Sequence, residues 1–244
     1  MSAIPFTAYD IFAYLSSGFF VIASADLALP GNWLVNAQLS VIQGVVWIAV
    51  AYITGHVMAQ ISSTLLEKGL VKRILGTPEV ALFGESRRRR LFPGYFETLP
   101  ERIAERVRER AAAEAEIYTV GRDLFYFCDA KARKEPSATT HLTIFLGMYG
   151  FARNVCVAAL VSTGVFLVGL FFYHAPRETT IFLACASFVT AGFLLYRYLK
   201  FLRVYALEVF TAYAALDPLP TDPEPPALSK FEIGLRRVKR QPPA

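Results

Sequence analysis

Forty consecutive residues, Leu27 to Leu66, contain no Asp, Glu, Lys or Arg. Asn154 to Tyr173 and Thr179 to Tyr196 are likewise uncharged. A helix that crosses a bilayer needs roughly 20 mostly apolar residues. Within hydrocarbon the backbone must satisfy its own hydrogen bonds, which leaves helices or closed barrels as the spanning forms. Runs of this length predict helices. With 55% hydrophobic and only 18% charged residues, the chain also departs from soluble globular composition.

Four spans are expected. The first covers about 11 to 29 and is closed by the turn signal Pro30-Gly31. The second covers about 39 to 61, after a short uncharged link carrying Trp33 as an interface anchor. The third lies near 151 to 173, Ala175-Pro176 interrupts the chain, and the fourth covers about 180 to 199. The predicted fold class is therefore an all-α integral membrane protein: four transmembrane helices with helical cytoplasmic extensions and a helical insert between spans two and three.

Charge assigns the sides. Lys68 is the first positively charged side chain, and 15 of the 25 Lys and Arg residues fall between it and Lys134. Residues 1–9 and 30–38 carry none, and the link 174–179 carries only Arg177. Because Lys and Arg near span ends stay cytoplasmic, both termini and the long middle segment are expected on the inner side of what reads as a bacterial inner membrane. No basic residue precedes the first apolar run, so span one is expected to be retained rather than cleaved as a signal peptide. The chain thus divides into a transmembrane hairpin (1–63), a basic helical segment (64–147), a second hairpin (148–199), a helical extension (200–216) and a Pro-rich linker with a basic tail (217–244).

Helical periodicity continues beyond the spans. From Leu65 to Leu75 apolar residues alternate with Glu67, Lys68, Lys72 and Arg73, so a helix from Leu39 to Leu75 would be about 55 Å long at 1.5 Å per residue. Val204, Leu207, Phe210 and Tyr213 extend span four in the same way. The apolar stretch from His141 to Ala152 either prolongs span three or forms an interfacial segment around Leu142 to Tyr149. In the middle segment, Thr98-Leu-Pro-Glu101 has the form of a capping box. A helix is predicted from there to about Lys134, solvated in its first half and docking through Leu124, Phe125, Phe127 and Cys128 in its second.

Two groups of residues are candidate sites. Arg87, Arg88, Arg89 and Arg90, together with Arg236, Arg237 and Arg240 of the tail, would bind lipid head groups or an acidic partner. Each basic residue beside an anionic leaflet contributes about 1 kcal/mol. Asp26, Gln43, His56 and Gln60 are the polar groups placed closest to hydrocarbon, where ionisable residues are functional hypotheses because burying them is expensive. A pore lining or an interhelical hydrogen bond would each account for His56. Arg153 is expected to snorkel to the inner interface.

Catalysis finds little support. His56, His141 and His174 are predicted at three different depths, and Cys128, Cys156 and Cys185 show no ligand spacing. Phosphate-loop, dinucleotide, zinc-protease and serine-hydrolase motifs are missing from the sequence. No catalytic residue, metal or cofactor is assigned, and isolated carboxylates such as Asp10 and Glu208 are the remaining enzymatic reading. The pI near 9.1 is explained by attraction to the anionic inner leaflet, while nucleic acid is disfavoured because no recognition fold is legible. Two functions are expected in order: a scaffold or signalling subunit whose cytoplasmic helices bind a protein partner or a second copy, and a homo-oligomeric channel or membrane-permeabilising effector. Ala158, Ser162, Ala186 and Thr190, with Ser187 and Ala191, offer the small-residue spacing that close helix packing requires.

Overall fold

The computed structural model describes residues 8–30, 40–84, 92–173 and 176–216. These form helices and no strand. Seven α-helices follow in order: α1 (Ala8–Ala28), α2 (Val41–Ser62), α3 (Pro78–Leu82), α4 (Glu101–Ala115), α5 (Arg122–Ala132), α6 (Pro136–Phe172) and α7 (Arg177–Ala215). Between α2 and α3 lies a π-helical segment, Ser63–Leu75, and a single 3₁₀ turn spans Pro93–Tyr95. Residues Met1–Ala214 form one compact unit and Ala215–Ala244 a second, of which only Ala215 and Leu216 are described.

Four of the helices are long and apolar enough to cross a membrane. Their outer faces explain the composition. On α2, Val41 is 85% exposed, and Ile42, Val45, Val46, Ile53 and Val57 are exposed with it. On α7 the exposed residues include Phe182, Phe188, Val189 and Phe193. Apolar surface this continuous is unfavourable in water and is what a hydrocarbon surrounding accommodates.

Inward, small residues let the backbones touch. A Cβ on Gly18 would overlap the Ala51 carbonyl, one on Gly55 would overlap the Tyr14 carbonyl, and one on Gly169 would meet Ala28. Thus α1 packs closely between α2 and α6. Ser162 of α6 donates to the Phe20 carbonyl at 3.3 Å. Ala158, Ser162, Ser187 and Ala191 are buried, whereas Ala186 is exposed. Thr190 donates to the Ala186 carbonyl of its own helix.

Local signals set most helix ends. Ser40 caps α2: its hydroxyl accepts from the Gln43 N–H at 3.3 Å, and its own N–H donates to Gln43 Oε1 at 2.9 Å. Pro136 opens α6, where its missing N–H costs nothing. The stretch His141 to Ala152 lies within α6, so Leu142 to Tyr149 is helical. At about 1.5 Å per residue, the 37 residues of α6 and 39 of α7 reach about 55 Å or more.

Two expectations fail in the middle segment. The capping box at Thr98 does not form: α4 starts at Glu101 with Pro100 in the cap position and no side-chain cap. Proline disfavours the helical region for the residue before it, and the Leu99 N–H donates instead to the Leu82 carbonyl at 2.8 Å. The single helix expected to Lys134 is two helices. Glu116 turns into the left-handed region (φ 54°) and its N–H closes α4 on Ala112. The residues that follow, Ile117-Tyr-Thr-Val-Gly121, are weak helix formers.

The continuation of α2 is also wound differently from expectation. Residues 63–75 bond in the i→i+5 pattern, closing with Gly76 N–H to Val71 O at 2.8 Å. Its buried residues are accordingly Leu66, Val71 and Leu75, while Leu65 and Ile74 are exposed. Leu66, Val71 and Leu75 pack with Tyr95, Phe96, Ala152, Cys156, Tyr198 and Leu199. Farther along, Leu124, Cys128, Val107, Val209, Phe210 and Tyr213 are buried, with Phe210 edge-on to Phe83 and Phe125.

Candidate functional site

Where α2 passes into the π segment, polar side chains gather on α6. Ser62 donates to Asn154 Oδ1 at 2.7 Å, and Arg153 donates to the same oxygen at 3.2 Å. Arg153 also pairs with Glu67, whose second oxygen accepts from Ser63 at 3.3 Å. The guanidinium lies over the Tyr149 ring, 5.8 Å from its centre. Asn154 and Ser62 are buried, and the Arg153 and Glu67 side chains are 15% and 28% exposed.

The π winding makes this arrangement. Ser62 and Glu67 are five residues apart, which on an α-helix would set them about 140° apart around the axis. With i→i+5 bonding they face the consecutive α6 residues Asn154 and Arg153. Lys72 is five residues further on and shares a cleft with Glu67.

That cleft has a volume of about 210 Å³. The π segment contributes Glu67, Val71 and Lys72, and the turn into α3 contributes Thr77, Pro78 and Glu79. Arg122, Phe125 and Tyr126 enter from α5, Tyr149 from α6, and Tyr198, Leu202 and Tyr205 from α7. Glu79 is buried at 9% exposure, whereas Lys72 and Arg122 are exposed. The Tyr198 hydroxyl is buried with no hydrogen-bond partner among the described residues. Tyr95, nearby, donates to the Gly76 carbonyl at 2.9 Å. Burial, reinforced by the Glu79 charge, raises its phenol well above the ordinary tyrosine range.

Hydrogen bonds and ion pairs join the charged segment to α7 and α4 to α5. Arg133 donates to Asp129 at 2.9 Å and to the Tyr205 hydroxyl at 2.9 Å, and Tyr205 donates to Asp129 Oδ1 at 3.1 Å. The Asp129 hydrogen bond raises the Arg133 pKa beyond its ordinary value. Arg203 of α7 holds Glu97 through carbonyl and carboxylate. Glu114 of α4 receives Arg110 at 2.6 Å and Lys131 of α5 at 2.7 Å. Burial alone would raise the Glu114 pKa, but the hydrogen bonds from Lys131 and Arg110 outweigh it and hold the carboxyl below its usual value. Burial, aided by the Glu114 charge, pushes the Cys128 thiol up to about 12.

The four polar residues expected near hydrocarbon do not converge. Asp26 and Gln43 belong to opposite kinds of environment: the former is buried near the end of α1, and the latter is exposed and caps α2. His56 is exposed on α2, stacked on Tyr14 with centroids 4.0 Å apart and edge-on to Tyr52 at 4.7 Å. Gln60 is also exposed, one turn away. The contacts of Tyr14 with His56 and with Tyr52 tie α1 to α2 through rings. Arg87, Arg88, Arg89, Arg90, Arg236, Arg237 and Arg240 lie outside the described residues. Arg153 is held by Glu67 and Asn154.

Among the described residues, no group of three His, Cys, Asp or Glu side chains is placed to hold a metal ion. Comparison with protein families, curated proteins and solved structures gives no match to this chain.

Proposed function

We propose that the chain is a four-span scaffold or signalling subunit of the inner membrane, with both termini and the charged helices on the cytoplasmic side, and that those helices bind a protein partner or a second copy. One observation carries this reading. Two helices, α6 and α7, each run unbroken from apolar faces into a charged helical module. The module is fastened to α7 by Arg133–Tyr205 and Arg203–Glu97. A displacement of either helix therefore moves α4 and α5 with it. The outer surface of α4 is rich in charge, with Glu101, Arg102, Glu105, Arg106, Arg108 and Glu109 all exposed, and suits recognition by a charged protein surface. The channel reading has a narrower basis: His56 and Gln60 point out of the single chain, so only an oligomer would gather them.

The test places a photo-crosslinker at Arg106 in native membranes, with and without Leu207→Pro. Proline inside α7 removes a helical hydrogen bond and clashes with the preceding turn, at about 3 kcal/mol or more. The expected result is a discrete adduct, to a partner or a second copy, that disappears in the variant while membrane insertion is unchanged. Absence of an adduct, or an adduct indifferent to Leu207→Pro, refutes the reading.

A further inference from the structure

The cleft at the base of α2 combines three features that a purely structural gap does not need. First, its charges are uncompensated. Glu67 is neutralised by Arg153, but among the described residues Glu79, Lys72 and Arg122 form no hydrogen bond or ion pair through their side chains. Glu79 is nevertheless buried at 9% exposure, and a buried polar group without a hydrogen-bond partner is costly. Second, the wall is aromatic, formed by Phe125, Tyr149, Tyr198 and Tyr205. Ring faces of this kind attract an ammonium group. Third, the Tyr198 hydroxyl is a buried donor that no described group satisfies, and unsatisfied buried polar groups are rare in folded proteins.

We infer that this cleft binds a phosphate–ammonium zwitterion, with the ammonium against Glu79 and the tyrosine rings and the phosphate against Lys72 and Arg122 at the mouth. A lining that combines a buried carboxylate with two exposed cations suits a zwitterion better than a simple anion. Guanidinium and ammonium donors form strong charge-assisted hydrogen bonds to phosphate. The volume of about 210 Å³ has room for a group of head-group size. The site stands independently of the partner-binding reading. Its ligand is either the head group of an ethanolamine phospholipid or a free molecule of the same chemistry.

The full chain, purified in detergent, is titrated with phosphoethanolamine, inorganic phosphate and ethylammonium by calorimetry. In parallel it is reconstituted with equal amounts of phosphatidylethanolamine and phosphatidylglycerol, and its retained lipid is read by native mass spectrometry. Saturable phosphoethanolamine binding, at least tenfold tighter than either fragment, supports a free ligand. Selective retention of phosphatidylethanolamine supports the lipid head group. Lys72→Gln and Arg122→Gln, both at exposed positions and so without effect on folding, should each weaken whichever binding is seen by about tenfold, the worth of one charged hydrogen bond. Glu79→Gln should abolish the preference over inorganic phosphate or over phosphatidylglycerol. Neither binding mode, or binding indifferent to Lys72→Gln and Arg122→Gln, overturns the inference.

Discussion

Arg153 and Glu67 join α6 to the π segment, and a double-mutant cycle on them tests whether that junction holds the helices together. Exposed ion pairs contribute about 0.2–1 kcal/mol, while breaking a fully buried pair costs about 3–5 kcal/mol. With side-chain exposures of 15% and 28%, this pair sits between those limits. Arg153→Met also removes the hydrogen bond to Asn154 and the contact with the Tyr149 ring, so its loss should be about 2–3 kcal/mol. Glu67→Gln keeps the shape and should cost about 1–2 kcal/mol. If the charges act on each other, the double variant should be destabilised by less than the sum, leaving a coupling of about 1–2 kcal/mol. Reversible unfolding in mixed micelles, followed by helical circular dichroism, supplies the four free energies. A coupling below about 0.3 kcal/mol, within the range of additive sites, would mean that Arg153 merely reaches for solvent, and the junction would lose its electrostatic basis.

Two further outcomes are expected. Gly55→Leu must push α1 away from α2, because a Cβ there already overlaps the Tyr14 carbonyl; the expected cost is about 1–3 kcal/mol, read by the same unfolding assay, and wild-type stability in the variant would contradict the close crossing. The Glu114 carboxyl is held below its reference value of 4.5, so its contribution to stability is complete above that value and is lost as pH falls through the lower, folded pKa; Glu114→Gln should therefore flatten stability against pH below about 4.5, at a cost of about 1–2 kcal/mol at neutral pH, and an unchanged acid profile would rule this pairing out.

Three of the four apolar helices were legible because hydrocarbon imposes a single rule, length without charge, and the runs at 27–66, 154–173 and 179–196 obey it, while the first, which carries Asp26, was marked by its apolar composition and the turn signal Pro30-Gly31. The extension of α7 through Phe210 and Tyr213 was legible for a similar reason, since its apolar residues keep helical spacing into a real core. The π winding was hidden. Leu65, Leu66, Leu70, Val71, Ile74 and Leu75 satisfy an α pattern and a π pattern equally, and only the partners on α6 decide between them. The break at Glu116 was obscured because Glu is a good helix former, and the left-handed residue at a helix end is usually Gly. Of the cleft, the sequence showed the separate charges Glu67 and Lys72 but not that they would share a wall. Its tyrosines come from α5, α6 and α7, so their meeting depends on tertiary packing that no local pattern encodes. The stacking of His56 on Tyr14 was likewise not legible, because Tyr14 lies on a different helix and no local pattern links the two rings.

The winding of residues 63–75 separates the two ways in which the apolar helices reach the charged module. Along α6 and α7 the connection is a single α-helix, in which each turn is bonded to the next and rotation at one end is carried to the other. Along α2 the connection changes from i→i+4 to i→i+5 bonding at Ser63, and helices of the second kind are rare because their geometry is poorer. What offsets that cost is visible in the contacts: Leu66, Val71 and Leu75 are buried together only in this winding, and Glu67 meets Arg153 while Ser62 meets Asn154. An α-helical register over the same residues would turn Glu67 about 140° from the direction of Ser62 and could not keep both contacts. Glu67, Val71 and Lys72 would then leave the wall of the cleft together. The cleft and the junction are thus consequences of one local feature, and a variant that restores α geometry between Ser63 and Leu75 should remove both at once.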